Sequence, residues 1–312
     1  MILEPVTQQF IESIADEPAL QTLSPADATA FLARLQSAPV GKPGVTVEDL
    51  TFPVGPAGAV QIRTMRPRDG SGALPVIMHF PGGAWGPGDQ STHDRLMREL
   101  AVGVGAALIF VADGRATQAC YPAAIEHAYA AMKYVVDNAA TLNVDATRLA
   151  VLGDGVGGNI AAAVTLLAKD RRGPKIDCQV LFYPVTAARF DTDSYEQFAD
   201  GPWLTRASMQ RFWDAYLPDA ARRGDITASP LGATPDQLRN LPDALVIVAE
   251  NDVLRDDGEG YARKLSDAGV RVTSVRYNGT IHDFVVLNAL ADTPAARGAI
   301  AQAICTLKSA LG

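Results

Sequence analysis

Short apolar runs alternate with longer amphipathic segments along most of this chain. The runs fall at Leu74 to Phe80, Ala107 to Val111, Arg148 to Leu152, Gln179 to Phe182, Ala244 to Ala249 and Val270 to Tyr277. Each has the length of a strand, and the segments between them carry helical spacing. This alternation predicts an α/β fold built on a mostly parallel, doubly wound sheet with helices on both faces. Two amphipathic patterns precede it, Val6 to Ile14 and Pro25 to Leu35, the second opened by Ser24 and Pro25 as N-cap and first helical residue. They read as a helical cap, which makes residues 1–45 an N-terminal cap segment and residues 46–312 the core. Between Phe190 and Leu217 the alternation breaks into an aromatic, mixed-charge stretch, predicted to be a cap insertion at about residues 190–220 over the carboxyl edge of the sheet.

Ligands of open α/β sheets sit beyond the carboxyl ends of the strands, so the residues that follow each run carry the candidate chemistry. Pro81-Gly82-Gly83-Ala84-Trp85 follows the first run, and its glycines let backbone N–H groups approach a substrate oxygen. Gly153-Asp154-Gly155-Val156-Gly157-Gly158-Asn159 follows the third, a strand-to-helix turn that aims the N–H of Val156 at the same point. Later come Glu250-Asn251-Asp252-Val253-Leu254-Arg255-Asp256 and, after the last run, Ile281-His282-Asp283-Phe284.

The order of elbow, acid and histidine is that of α/β-hydrolases. On these motifs, together with Tyr121-Pro122-Ala123-Ala124 opening a helix, the chain resembles the hormone-sensitive-lipase-like esterases from about residue 45 onward. The resemblance implies an α/β-hydrolase fold with a helical cap. It implies that Asp252 orients His282 and that Gly82, Gly83 and Val156 supply oxyanion-hole amides. Three departures stand beside it. The family's H-G-G-G turn reads Pro81-Gly82-Gly83-Ala84, its Y-R-x-x-P-E stretch reads Asp113-Gly114-Arg115-Ala116-Thr117-Gln118, and Gly155 stands where the family carries its nucleophilic serine. Glycine has no side chain with which to attack, so covalent acyl transfer is not expected. Replacement of three pocket motifs at once reads as natural divergence rather than an engineered knock-out.

Trp85, Asp113, Arg115, Cys120 and Trp203 are further candidates for a substrate-binding wall. Phe198, Phe212 and Trp213 either line an apolar cavity or pack the cap. Cys178 and Cys305 read as buried structural thiols. His93 reads as a helix-terminal polar residue, His127 as structural, and His79 as a strand residue facing either core or pocket. No histidine or cysteine spacing suits a metal, and neither glycine-rich turn has the context of a dinucleotide or phosphate loop, so no metal or cofactor is expected.

With 312 residues, 48% of them hydrophobic and 20% charged, the chain buries a large core. Its net charge of −8 without any basic run disfavours nucleic acid and anionic membranes. The opening residues lack a signal-peptide pattern, and no run approaches a membrane span; a cytoplasmic protein with a small-molecule substrate or ligand is expected. A homodimer is compatible with the sequence, which picks out no interface. Three functions follow from the missing seryl oxygen. The leading one is a serine-less enzyme using a His282–Asp252 dyad, either a lyase, cyclase or isomerase or a water-activating hydrolase, and it predicts that His282→Ala abolishes turnover. A non-catalytic binder predicts ligand stabilisation without turnover. A weak or inactivated carboxylesterase predicts recovery with Gly155→Ser.

Overall fold

The computed structural model describes residues 1–18, 22–83, 90–111 and 121–312. Eight strands form one sheet: β1 (Val45–Phe52), β2 (Val60–Pro67), β3 (Leu74–Phe80), β4 (Ala107–Val111), β5 (Val144–Asp154), β6 (Cys178–Phe182), β7 (Asp243–Asn251) and β8 (Val272–Ile281). Their order across the sheet is β1-β2-β4-β3-β5-β6-β7-β8. The pairs β1/β2 and β2/β4 are antiparallel, and every other pair is parallel. The predicted parallel, doubly wound α/β-hydrolase sheet is therefore present, with an antiparallel edge added to it. That edge carries no long apolar run. β1 is exposed along most of its length, and β2 alternates buried Val60 and Ile62 with partly exposed polar residues, so neither strand produces the buried-strand signal of the sheet interior.

Both faces of the sheet are covered. Along β3, Val76, Met78 and Phe80 point into one core with α4 (Ala123–Asp137), α5 (Val156–Asp170) and α9 (Arg255–Asp267). Ile77 points into the other, with α3 (Gln90–Val104) and α10 (Pro294–Leu311). This is the two-residue period of a strand serving two helical layers. The chain leaves β3 for β4 on one side and then crosses to β5 on the other, so the carboxyl ends of β3 and β5 flank the topological switch where such sheets bind ligands.

Two helices precede the sheet, α1 (Pro5–Ser13) and α2 (Pro25–Leu35). The Ser24 hydroxyl accepts from the Asp27 N–H and caps α2. Gln36, just beyond that helix, is bound on three sides. Its Nε2 donates to the carbonyls of Thr92 (2.6 Å) and Val286 (2.9 Å), while its Oε1 accepts from the Asn288 N–H at 2.7 Å. Between β6 and β7 lie α6 (Asp193–Gln197), α7 (Arg206–Tyr216) and α8 (Pro235–Leu238), where the sequence pattern breaks. Among the described residues no helix is long and apolar enough to cross a membrane.

Candidate active site

The turn from β5 into α5 is built by close backbone packing. A Cβ on Gly153 would collide with the Gly157 carbonyl, and one on Gly157 with the Phe80 carbonyl. Glycine is therefore required at both positions, which lets α5 start hard against β3. Asn159 fixes the turn from beyond it: its Nδ2 donates to the carbonyls of Val185 (3.1 Å) and Ala228 (2.8 Å). Gly155 sits at the apex with φ 54° and ψ −116°, a conformation that L side chains rarely adopt. An ideal Cβ built on it would lie 3.3 Å from His282 Nε2 and 3.6 Å from His282 Cε1.

His282 follows β8, and Asp252 follows β7 in the neighbouring strand of the sheet. The His282 Nδ1 to Asp252 Oδ2 distance is 2.7 Å, and both side chains are buried. Asp252 is itself aimed by its other oxygen, Oδ1, which accepts from the Leu254 N–H at 2.9 Å. An ionised carboxylate only accepts, so Nδ1 carries a proton and Nε2, facing Gly155, is the basic nitrogen of the neutral ring. Burial on its own would lower the affinity of this imidazole for a proton. The negative charges of Asp252 and Asp283, with the Asp252 hydrogen bond, outweigh it and hold the pKa at about 9.

A buried polar cluster lies beneath this point. Asp154, the last residue of β5, accepts from His79 Nε2 at 3.2 Å through Oδ1, and from His93 Nε2 at 3.1 Å through Oδ2. His93 Nδ1 lies 2.8 Å from the Thr92 hydroxyl. Burial would raise the Asp154 carboxyl, but the charge of His93 and the hydrogen bonds from both imidazoles hold it well below the usual carboxylate range. His79, with no exposed surface, is kept from protonating by burial. The same Asp154 Oδ2 also accepts the Gly82 N–H at 3.1 Å. Gly82 therefore does not offer the oxyanion amide expected of it, because its donor is already turned inward to a buried charge. Gly83 follows at φ 115°, and Val156 opens α5, where a first-turn N–H has no intrahelical acceptor.

Of the predicted site residues, Gly155, Asp252 and His282 meet at one point, with Gly83 and Val156 in the two flanking turns. Trp203 lies beside them: its indole N–H donates to Asp283 Oδ2 at 2.9 Å. Ala84, Trp85, Asp113, Arg115 and Cys120 lie outside the described residues. Phe198 and Trp213 are buried packing residues, the former under the Arg255 guanidinium and the latter against Tyr216. Cys178 is buried, and burial pushes its thiol up to about 12. Cys305 is not buried as expected but faces outward from α10. His93 lies in the first turn of α3, as its reading as a helix-terminal polar residue expects, but it is 4% exposed and bonded to Asp154. The Asp154 cluster and the contact of Asp283 with His282 escaped the sequence reading. The only signal for the second was the Asp next to His in Ile281-His282-Asp283-Phe284.

The family model for the alpha/beta hydrolase fold matches residues 77–286. The chain belongs to this family. The carboxylesterase NlhH of Mycobacterium tuberculosis (strain ATCC 25618 / H37Rv) is 36% identical to it over 286 residues, which cover 91% of this chain and 89% of that protein. The crystal structure of a thermostable esterase from Pseudomonas putida ECU1011 superposes with a TM-score of 0.96 at 46% identity, covering 100% of this chain and 98% of the other. A serine-to-alanine variant of the esterase rPPE, complexed with (S)-Ac-CPA, gives 0.96 and 46%, covering 99% and 98%.

These similarities correct the leading functional expectation for this α/β-hydrolase. The relatives and structural neighbours are named esterases and carboxylesterases, so they point to ester hydrolysis and away from a lyase, cyclase or isomerase, and equally from a non-catalytic binder. The local geometry at residue 155 matches the arrangement the motif order predicts. The elbow keeps its backbone, and the imidazole keeps its carboxylate and its aim at residue 155.

Proposed function

We propose that this α/β-hydrolase acts on small carboxylic esters at Gly155, His282 and Asp252, and that glycine stands at the nucleophile position. The observation that carries this reading is the 3.3 Å separation between a Cβ direction at residue 155 and His282 Nε2, the relation a seryl nucleophile and its base require. Without that side chain, water is the nucleophile. Neutral His282 takes a proton from water at Nε2, the hydroxide oxygen adds to the ester carbonyl, and the oxyanion faces the N–H groups of Gly83 and Val156. Collapse releases the alcohol, which takes the proton back from Nε2, and leaves the acid. General base catalysis supplies on the order of 10² to 10⁴ in rate, enough for activated esters but not for amides. In this reading α1, α2 and the segment between β6 and β7 form the cap over the site.

Release of p-nitrophenol from short-chain p-nitrophenyl esters, measured for the chain as written and for its Gly155→Ser and His282→Ala variants, tests the proposal. Slow turnover that rises with Gly155→Ser and vanishes with His282→Ala is the expected result. No turnover by any version, with the variants folded, overturns it.

A further inference from the structure

Asp283 stands on the opposite side of the imidazole from Asp252. Its Oδ1 is 3.5 Å from His282 Nε2, and its Oδ2 accepts the Trp203 indole N–H at 2.9 Å. Its backbone is held in the left-handed region, φ 63°, where the Asp283 carbonyl accepts from the N–H groups of Val286 (2.8 Å) and Leu287 (2.9 Å). Asp tolerates this conformation better than most L residues do. Trp203 is fixed in turn by the N-terminal helices. Phe10 of α1 is 5.6 Å from its ring, and Phe31 of α2 stacks on it at 6.4 Å with an interplanar angle of 24°. A continuous chain of contacts therefore runs from α1 and α2, through an indole, to a carboxylate facing the nitrogen that points at Gly155.

We propose that Asp283 is a positioning residue for His282: pinned by the Trp203 indole, its carboxylate holds the Nε2 face of the ring and ties the packing of α1 and α2 to the protonation of that nitrogen. Among the described residues, the other groups acting on His282 are Asp252 after β7, the charge of Asp154 at the end of β5, and Tyr183 after β6, whose ring centroid is 4.5 Å away and whose phenol burial keeps protonated. The charge of His93 on α3 also acts on Asp283. Asp252 orients the ring, whereas Asp283 sets how readily Nε2 gives up its proton. With Asp283 ionised, the imidazolium lies between two carboxylates and the base is masked at neutral pH; loss of that charge unmasks it. The effect on turnover rests on the hydrolase reading above, but the protonation of His282 does not.

The chain holds only four histidines, so the full-length protein labelled with ¹⁵N-histidine and titrated by NMR follows His282 directly. Asp283→Asn keeps an acceptor for the indole and removes the charge. The His282 midpoint is expected to fall by about one pH unit, a tenfold change in the ratio of imidazolium to imidazole at a given pH. Trp203→Phe keeps an aromatic ring between Phe10 and Phe31 and removes the N–H, and the midpoint is expected to fall by less. The resonances of His79, His93 and His127 report that the fold is intact. An unchanged midpoint in Asp283→Asn overturns the role of Asp283, and an unchanged midpoint in Trp203→Phe overturns the coupling to the N-terminal helices. In the Gly155→Ser background the rising limb of ester hydrolysis should move to lower pH with the NMR midpoint. A shifted midpoint with no ester turned over by any version leaves this inference standing and removes the hydrolase reading.

Discussion

A side-chain carbon at Gly155 would lie 3.3 Å from Nε2 of His282. The backbone there holds φ 54°, a conformation that L side chains rarely adopt. Gly155→Ser should raise ester hydrolysis on the order of 10³-fold or more, the scale on which a seryl nucleophile matters in such sites. It should also lower stability by about 1–3 kcal/mol, because a non-glycine residue then occupies a strained conformation. Parallel p-nitrophenyl ester kinetics and urea unfolding check both effects. A gain in activity with no loss in stability would mean that the elbow relaxes around serine.

Hydrolysis by the chain as written should increase with pH and level off above about 9, where His282 becomes neutral. Its pKa is raised from 6.5, so the stabilisation from its protonated form is complete below about 6.5 and is lost as pH rises through about 9. Activity and stability should therefore run in opposite directions over that window, as initial rates and thermal melts at matched pH will show. Asp252→Asn should move the rising limb to lower pH and reduce its plateau, since the ring loses both a charge and its orienting acceptor.

Asp154→Ala leaves two buried imidazoles and the Gly82 N–H without their common acceptor. Breaking a buried charged network by removing one member destabilises by about 3–5 kcal/mol. Urea denaturation should show a loss of this order. Because the native carboxyl is depressed, the stability that Asp154 supplies is present above its unfolded pKa of 3.8 and disappears only as pH falls well below that value. Wild-type and variant stabilities should therefore approach each other only in strong acid.

Asp257 has the opposite sign. It is fully buried on α9 and accepts the Thr186 and Ala187 N–H groups through Oδ2, while Oδ1 has no partner among the described residues. Burial raises its carboxyl to about 7. The native state then holds a proton that the unfolded chain has released, so stability should fall as pH rises from about 4 to about 7. Asp257→Asn removes that dependence. A variant whose unfolding free energy falls as steeply as the wild type's across this range would exclude Asp257 as its source.

The buried strands and the order of elbow, acid and histidine were legible because each depends on local pattern: unbroken apolar runs, then a glycine turn or a His-Asp motif directly after them. β1 and β2 were not legible, since a half-exposed antiparallel edge gives no such run. Non-local pairings were equally hidden. Asp154 is 61 residues from His93 and 75 from His79, and only the packing of β3, β5 and α3 brings them together. The engagement of Gly82 follows from that same cluster. Trp203 and Asp283 are 80 residues apart, and no sequence spacing announces their contact. Gly155, by contrast, was plain in the sequence, but what a single glycine does to activity depends on the surrounding geometry, which the motif alone could not supply.

In the proposed reading, with α1 and α2 as the cap, the hydrogen bonds of Gln36 bear on how a substrate gets in. This side chain joins the end of α2 to the first turn of α3 and to the loop that follows His282. Any swing of the N-terminal helices that opens the site must therefore pivot ahead of residue 36 or drag the histidine's own loop with it. Entry and catalysis, as proposed, then share one fastener: a substrate bulky enough to need the wider opening would unseat the base proposed to act on it, and bulk would be rejected at the chemical step as well as at the door.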